Sequence, residues 1–207
     1  MQRLNNITSR KLAYTEHRIH ALLSARWSPV AFSDEMVEAE KIRTLLEAAR
    51  WAASSYNEQP WHFIIATKDN PVEFENLLSC LAEGNQEWAK NAPVLMLSIA
   101  KLYFERNGAE NRHAFHDVGA ASAQMTIQAT AEGLFIHQMA GFDVDKARKI
   151  YDIPDGYAPV AAMALGYLGD STNLSEKLQQ REYAERDRKS LENFVFSGKW
   201  NQVSPIL

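Results

Sequence analysis

Hydrophobic residues recur along the chain at two spacings, and each spacing predicts a different element. Between Ile42 and Ala52 the apolar positions fall three and four residues apart, which is typical of a helix with one buried face. The same spacing predicts five further helices, which span residues 19–27, 71–81, 113–132, 143–151 and 176–189. Pro71, Gly133 and Asp143 support three of these boundaries, since proline suits the first turn of a helix, glycine its end and aspartate its N-cap.

Stretches rich in β-branched, aromatic and other apolar residues predict the strands. Residues 93–100 are apolar at almost every position, which favours a central strand buried on both faces. The other predicted strands span 61–67, 135–139, 158–168 and, in the tail, 194–196. This order of elements indicates an α+β fold in which helices surround a sheet of four or five strands.

Length and composition limit the number of domains. The 207 residues, 46% of them hydrophobic, suffice for one sizeable core. No internal repeat, low-complexity tract or Pro/Gly-rich linker divides the chain. We therefore expect a single domain over residues 1–207, with its core at 19–169 and a C-terminal helix and extension at 170–207.

Charge and cysteine content exclude several classes of protein. A net charge of -4 lacks the positive field that nucleic acids and anionic membranes attract. The single cysteine, Cys80, cannot form an internal disulfide, and its apolar neighbours predict a buried side chain. Residues 1–6 lack the apolar core of a signal peptide, and no apolar stretch reaches the ~20 residues that span a bilayer. We expect a cytoplasmic protein with no nucleic-acid or membrane partner.

The common nucleotide, hydrolase and metal motifs do not occur in the sequence. The patterns GxGxxG, GxxxxGK[ST], GxSxG and HExxH are all missing. His113, His116 and Asp117 lie on one predicted helix face, and these residue types can bind zinc or iron. A solvated or capping cluster is the favoured interpretation, because no second metal-binding pair stands elsewhere. No metal site is predicted.

Three separated segments carry the most specific pattern in the chain. They are RWSPVAF at 26–32, ASSYNEQPWHF at 53–63 and MAGFD at 139–143. Together they resemble the nitroreductase family of FMN-dependent oxidoreductases, whose first two patterns are R-x-S-x-[RK]-x-F and P-S-S-x-N-x-Q-P-W-x-F. The order and spacing of the match extend over residues 26–200. The resemblance implies a nitroreductase-like fold with a mostly antiparallel sheet and an intertwined homodimer.

The resemblance also implies a set of FMN-binding residues. They are Arg26, Trp27, Ser28, Ser54, Ser55, Asn57, Asn85, Met139, Ala140, Gly141, Arg186 and Arg188. An FMN phosphate carries close to two negative charges and suits guanidinium and hydroxyl donors, the role implied for Arg26, Ser28, Arg186 and Arg188. The alternative for Arg186 and Arg188 is a solvated helix face.

The remaining implied residues would surround the flavin ring. A carboxamide satisfies both the donor and the acceptors of the pyrimidine edge, the role implied for Asn85, whose alternative is a loop cap. The backbone of 139–141 would pass beside N5, the hydride-accepting atom, unless Gly141 is an ordinary turn residue. The side chains at 54, 55 and 57 would reach the FMN held mainly by the other subunit.

Two positions depart from the family pattern. Val30 stands where many members have a cation, and Trp88 stands where some have a lysine three residues after the asparagine. Reduced flavin carries negative charge at N1 and the adjacent carbonyl, which a nearby cation stabilises. The loss of both cations is expected to lower the flavin potential or to change the substrate.

The resemblance implies an enzyme with tightly bound FMN at each interface of a homodimer. NAD(P)H would transfer hydride to flavin N5, and the hydride would pass to an electron-poor acceptor such as a nitroaromatic or a quinone by a ping-pong mechanism. No side chain is needed as a nucleophile. Two alternatives stay open. One is other FMN chemistry on the same scaffold, such as enal or semialdehyde reduction, oxidation or dehalogenation, and the other is a flavin-binding protein without turnover.

Overall fold

The computed structural model describes residues 11–207 and contains one antiparallel sheet of four strands. The strands are β1 (Trp61–Thr67), β2 (Val94–Lys101), β3 (Phe135–Met139) and β4 (Tyr157–Gly166). Their order across the sheet is β1-β2-β4-β3, so β1 and β3 form the edges. The predicted α+β class and four of the five predicted strands are confirmed. The expectation about residues 1–6 lies outside the described residues.

Seven α-helices surround the sheet within residues 11–207. They are α1 (Ala21–Ala25), α2 (Ala39–Arg50), α3 (Pro71–Cys80), α4 (Glu83–Ala89), α5 (Ala114–Ala131), α6 (Val144–Ile150) and α7 (Glu176–Tyr183). The side chain of Asp143 caps α6 by accepting the N–H of Lys146 at 2.9 Å, and Gly133 ends α5 with a φ of 73°. None of the described helices is long and apolar enough to cross a membrane.

The C-terminal segment differs from its prediction in two places. The predicted helix at 176–189 ends at Tyr183, because Ala184 adopts an extended backbone and the chain that follows is bonded to the α1 region. The predicted strand at 194–196 is also wrong, since Phe196 makes only an isolated bridge with Val203. The first error comes from contacts with a distant part of the chain, and the second from a local turn that bonds residues 195–197 to residues 202–204.

Helix α4 lies in a region for which the sequence pattern gave no element. Only Trp88 and Ala89 of its residues are buried, so no apolar periodicity marks it. Asn85 is therefore a helical residue and not a loop cap. This short helix matters because it carries one of the predicted site residues.

The sheet separates two hydrophobic clusters. Leu95 and Leu97 of β2 belong to one cluster, with Trp88 of α4 and apolar residues of α3 and α6. Val94 and Met96 belong to the other, with apolar residues of α2 and α5. Residues 94–100 of β2 are all buried, which confirms the prediction of a central strand. Cys80 is 3% exposed, as predicted for a core thiol.

Candidate functional site

Three arginines converge where α1 ends and the C-terminal segment crosses it. Arg26, Arg186 and Arg188 line one cavity of about 520 Å³. Burial and the charge of Arg188 lower the pKa of Arg26, and burial and the other two arginines lower the pKa of Arg186. Like charges this close repel one another unless an anion lies between them. The three arginines make this cavity a candidate site for an anion such as the phosphate of FMN, although Glu16 and Asp187 also line it.

Arg186 holds the backbone of this region together. Its Nη1 donates to the carbonyl oxygens of Lys11 and Ser24 at 2.7 Å, and its Nη2 donates to that of Arg26 at 2.8 Å. Neither Arg186 nor Arg188 lies on a helix. Arg186 is partly buried and bonded to the backbone, whereas Arg188 is exposed, so a solvated side chain stays the alternative for Arg188. Because backbone carbonyl groups already accept the hydrogen bonds of Arg186, Arg26 and Arg188 are the better candidates to bind an anion.

The other residues of the first motif lie beside Arg26. Its Nη1 donates to Ser28 Oγ at 3.4 Å, and Ser28 is exposed. Trp27 is half-buried and packs edge-on against Phe135 of β3, with 5.9 Å between ring centroids. The motif thus places two polar side chains towards the cavity side and anchors itself to the sheet by an aromatic contact.

Asn85 and Gly141 meet although 56 residues separate them. Asn85 Nδ2 donates to the carbonyl oxygen of Gly141 at 2.9 Å. A Cβ at Gly141 would lie 2.8 Å from the same Nδ2, so a larger residue would have to push the Asn85 carboxamide out of this bond. Met139 is buried before this contact, whereas Ala140 is exposed. Glycine at 141 therefore lets Asn85 keep this bond, and its φ is not in the left-handed region of a glycine turn.

The second motif lies beside the start of α5. The backbone N–H of Ser55 donates to Asp117 Oδ2 at 2.9 Å, and Asp117 Oδ1 lies 3.0 Å from His116 Nδ1. Ser54, Ser55, His113, His116 and Asp117 line a shallow cavity of about 240 Å³. Asp117 is 3% exposed and anchors the motif loop. Within residues 11–207, no group of three or more His, Cys, Asp and Glu side chains is arranged to hold a metal.

The backbone of this motif is strained. Tyr56, Asn57 and Gln59 have φ values of 52°, 57° and 53°, in the left-handed region. Asparagine tolerates that region, but a bulky residue such as tyrosine is a rare occupant of it. The N–H of Gln59 donates to Ser54 Oγ at 3.0 Å, which helps to fix the turn. Strain of this kind persists where the surroundings enforce it, and it clusters at functional sites.

The two groups of predicted site residues lie at the same end of the sheet but on opposite edges. Residues 54–57 precede β1, and residues 140–141 follow β3. The register places Ile64, Leu97, Ala162 and Met139 in one row across the four strands. With neighbouring strands ~4.8 Å apart, the two edges are separated by roughly 14 Å. Within the described chain, one protomer does not bring the two groups together.

Val30 and Trp88 are both core residues. Val30 is 1% exposed, and its backbone N–H donates to Glu182 Oε2 at 2.8 Å. Trp88 is fully buried between the rings of Phe32 and His137, whose centroids lie 6.1 Å and 4.5 Å away. Neither position therefore presents a side chain to a cavity.

Sequence reasoning missed His137, Arg181 and Glu182, which join α7 to the site. His137 Nδ1 lies 2.7 Å from the carbonyl oxygen of Pro29, and its Nε2 lies 3.0 Å from Arg181 Nη2. Burial lowers the pKa of His137 to about 4, an effect that the nearby Arg181 reinforces and the bond to Pro29 opposes. Neutral His137 donates to Pro29 and accepts from Arg181. No local pattern marks Arg181 and Glu182, because charged residues of a tail are usually solvated, and His137 lies within a strand whose pattern does not reveal its partners.

Comparisons with known proteins identify the family and the fold. The nitroreductase family profile matches residues 23–167. A crystal structure described as an oxidoreductase containing FMN is 34% identical, with a TM-score of 0.86 over 91% of this chain and 96% of that one.

Two relatives match at the level of sequence. An uncharacterised 15.4 kDa protein of Mycolicibacterium smegmatis is 40% identical over 127 residues, which are 61% of this chain and 84% of that protein. The FMN reductase (NADPH) of Bacillus subtilis is 29% identical over 164 residues, 71% of this chain and 63% of that protein. With its motifs in order and the family profile matched over more than half of its length, the chain belongs to the nitroreductase family.

Proposed function

We propose that this chain is an NAD(P)H-dependent FMN oxidoreductase that acts as a homodimer with FMN at each interface. The observation that carries the proposal is the division of the site between the two edges of the sheet. One edge holds the arginine cavity and the pair Asn85 and Gly141, and the other holds the strained loop at 54–57. A second copy of the chain would bring its loop to the first copy's cavity, as a twofold interface allows.

Each group of residues then has a distinct task. Arg26 and Arg188 bind the phosphate, and Arg186 keeps the backbone of Arg26 in place. Asn85 binds the pyrimidine edge, while Gly141 lets the backbone approach the ring. Ser54, Ser55 and Asn57 of the second copy close the site. That loop is held rigid by Asp117 and by its own bonds, so it would order the ring without rearranging.

Bound FMN supplies hydride transfer, taking hydride from NAD(P)H and passing it to an electron-poor acceptor such as a nitroaromatic or a quinone. The two substrates would then react in turn, which is a ping-pong mechanism. The names of the relatives support this proposal. Several are named NAD(P)H nitroreductases, and one is named FMN reductase (NADPH). Other FMN reactions on the scaffold, or flavin binding without turnover, are distinguished by experiment.

The first experiment is the absorption spectrum of the purified protein. A flavin spectrum that anaerobic NADPH bleaches is expected. Protein that stays colourless after incubation with FMN would overturn the proposal, and flavin that NADPH cannot bleach would replace it with a binding role. A panel of nitroaromatics, quinones, enals and semialdehydes, followed by NADPH consumption, then identifies the acceptor class.

The second experiment tests the divided site. Asn85→Ala and Asn57→Ala each damage one half of every site in a homodimer. A heterodimer of the two variants contains one site with both halves native, so its turnover should recover to about half of the wild-type value. Homodimers of each variant are the controls. A heterodimer no more active than its parents would contradict a site shared between subunits.

A further inference from the structure

We propose that Arg181 of α7 supplies the positive charge that stabilises reduced FMN, and that His137 and Trp88 are its positioning residues. The inference rests on the proposed function. Val30 and Trp88 stand where members of the family have cations, and both are buried and uncharged here. The inference names another residue that could supply the missing positive charge. Reduced flavin is negatively charged at N1 and the neighbouring carbonyl, so a cation at that edge favours reduction.

Arg181 lies on the correct side of the site. Together with Asn85, Ala82 and Gly84 it lines a cavity of about 300 Å³ between α4 and α7. Asn85 is the residue proposed to bind the pyrimidine edge, where N1 and its adjacent carbonyl also lie. A guanidinium in the same cavity would therefore meet the charge that develops on reduction. The positive groups lining this cavity are Arg181 and Lys177, and its acid, Glu87, accepts from Ser175 Oγ at 2.9 Å.

The guanidinium of Arg181 is held through one of its two terminal nitrogens. Its Nη2 lies 3.0 Å from His137 Nε2, and its Cζ lies 5.8 Å from the centroid of the Trp88 ring. Among the described residues no other hydrogen bond of this side chain is recorded, and a guanidinium has five N–H groups. Most of its donors thus remain for a ligand, although the side chain is already fixed in direction.

His137 is suited to hold a cation. Its ring is buried, bonded to Pro29 through Nδ1 and packed on Trp88, so its orientation is fixed. The low pKa of His137 keeps the imidazole neutral near pH 7, which leaves Nε2 as an acceptor and avoids repulsion of Arg181. Trp88 belongs to the same arrangement, because its indole packs on the His137 ring and also lies beside the Arg181 guanidinium.

The test compares the two redox states of FMN as ligands. We expect Arg181→Gln to weaken the binding of reduced FMN about tenfold more than that of oxidised FMN, which corresponds to a midpoint potential about 30 mV more negative for a two-electron couple. Arg181→Lys should retain most of the wild-type potential. Lys149→Gln, which removes an exposed cation of α6 outside this cavity, should leave the potential unchanged.

His137→Phe tests the positioning role. It should lower the potential by less than Arg181→Gln and should add nothing in the double variant. An unchanged potential in Arg181→Gln that still binds FMN, or equal shifts in the Gln and Lys variants, would overturn the inference and leave the proposed function intact. Failure of the wild-type protein to bind FMN would overturn both.

Discussion

The buried carboxylate of Glu182 accepts the backbone N–H of Val30 at 2.8 Å and thereby fastens α7 to the segment that follows Arg26. A second, longer bond of 3.4 Å joins the same oxygen to the N–H of Ala31. Arg26 lines the proposed phosphate cavity, and Arg181, the neighbour of Glu182 in the chain, lines the cavity beside Asn85. Glu182 therefore couples the position of the tail to both parts of the proposed FMN site.

Glu182→Ala should destabilise the protein by about 1–3 kcal/mol, the cost of leaving buried N–H groups without an acceptor. Urea unfolding of the variant and of Glu182→Gln, which keeps one acceptor oxygen, measures this. Burial raises the pKa of Glu182, although its backbone bonds oppose the shift. The folded state therefore holds this proton more tightly, so the stability that the raised pKa provides is present at low pH and is lost as pH rises through the folded pKa. Glu182→Gln should remove that dependence.

His137 should give the opposite pH dependence. Its pKa is lowered from 6.5 to about 4, so the unfolded chain binds a proton that the folded protein does not between those values. Stability is then present above about pH 6.5 and falls by roughly 3 kcal/mol as pH drops to 4. Unfolding free energies at a series of pH values check this. His137→Phe should flatten the curve in this window, and an unaltered slope would show that another group titrates.

Arg26→Ala should weaken FMN binding by about 2 kcal/mol, the value of a charge-assisted hydrogen bond to phosphate, or about thirtyfold in Kd. Isothermal titration or flavin fluorescence measures the affinity. Arg43→Ala is the matched control, because Arg43 is exposed on α2 and pairs with Glu40 at 2.6 Å. Equal affinities for the Arg26 variant and the wild type would remove Arg26 from the site.

Gly141→Ala should lower both FMN affinity and stability, because the new Cβ would lie 2.8 Å from Asn85 Nδ2. The stability loss tests the contact independently of the cofactor. In the double variant with Asn85→Ala the clash is relieved, so the unfolding free energy should recover relative to Gly141→Ala. Additive losses in that cycle would show that the two side chains do not interact.

Much of the fold was predictable because its signals are local. Residues 94–100 are apolar throughout and form a strand buried on both faces. Asp143 caps α6 through a bond that spans three residues, and Gly133 ends α5 at the predicted place. Burial on one face, capping and turn geometry are all set within a few residues, so the sequence alone carries them. The motif order likewise indicated the family.

The parts that the sequence could not determine depend on contacts across the chain. Arg186 binds carbonyl groups 160 or more residues away, which ended the predicted tail helix. Val30 and Glu182 are 152 residues apart, and His137 and Arg181 are 44 apart.

The amino-acid sequence by itself thus predicted the four strands, six of the seven described helices and the class of fold, and its motifs indicated most of the proposed cofactor-binding residues. Only the tertiary structure decided that Trp88 is a core residue, that Arg181 lines the cavity of Asn85, and that the two motifs occupy opposite edges of one sheet. The physical reason is that a local pattern fixes which face of an element is buried, but not which distant side chain it is buried against.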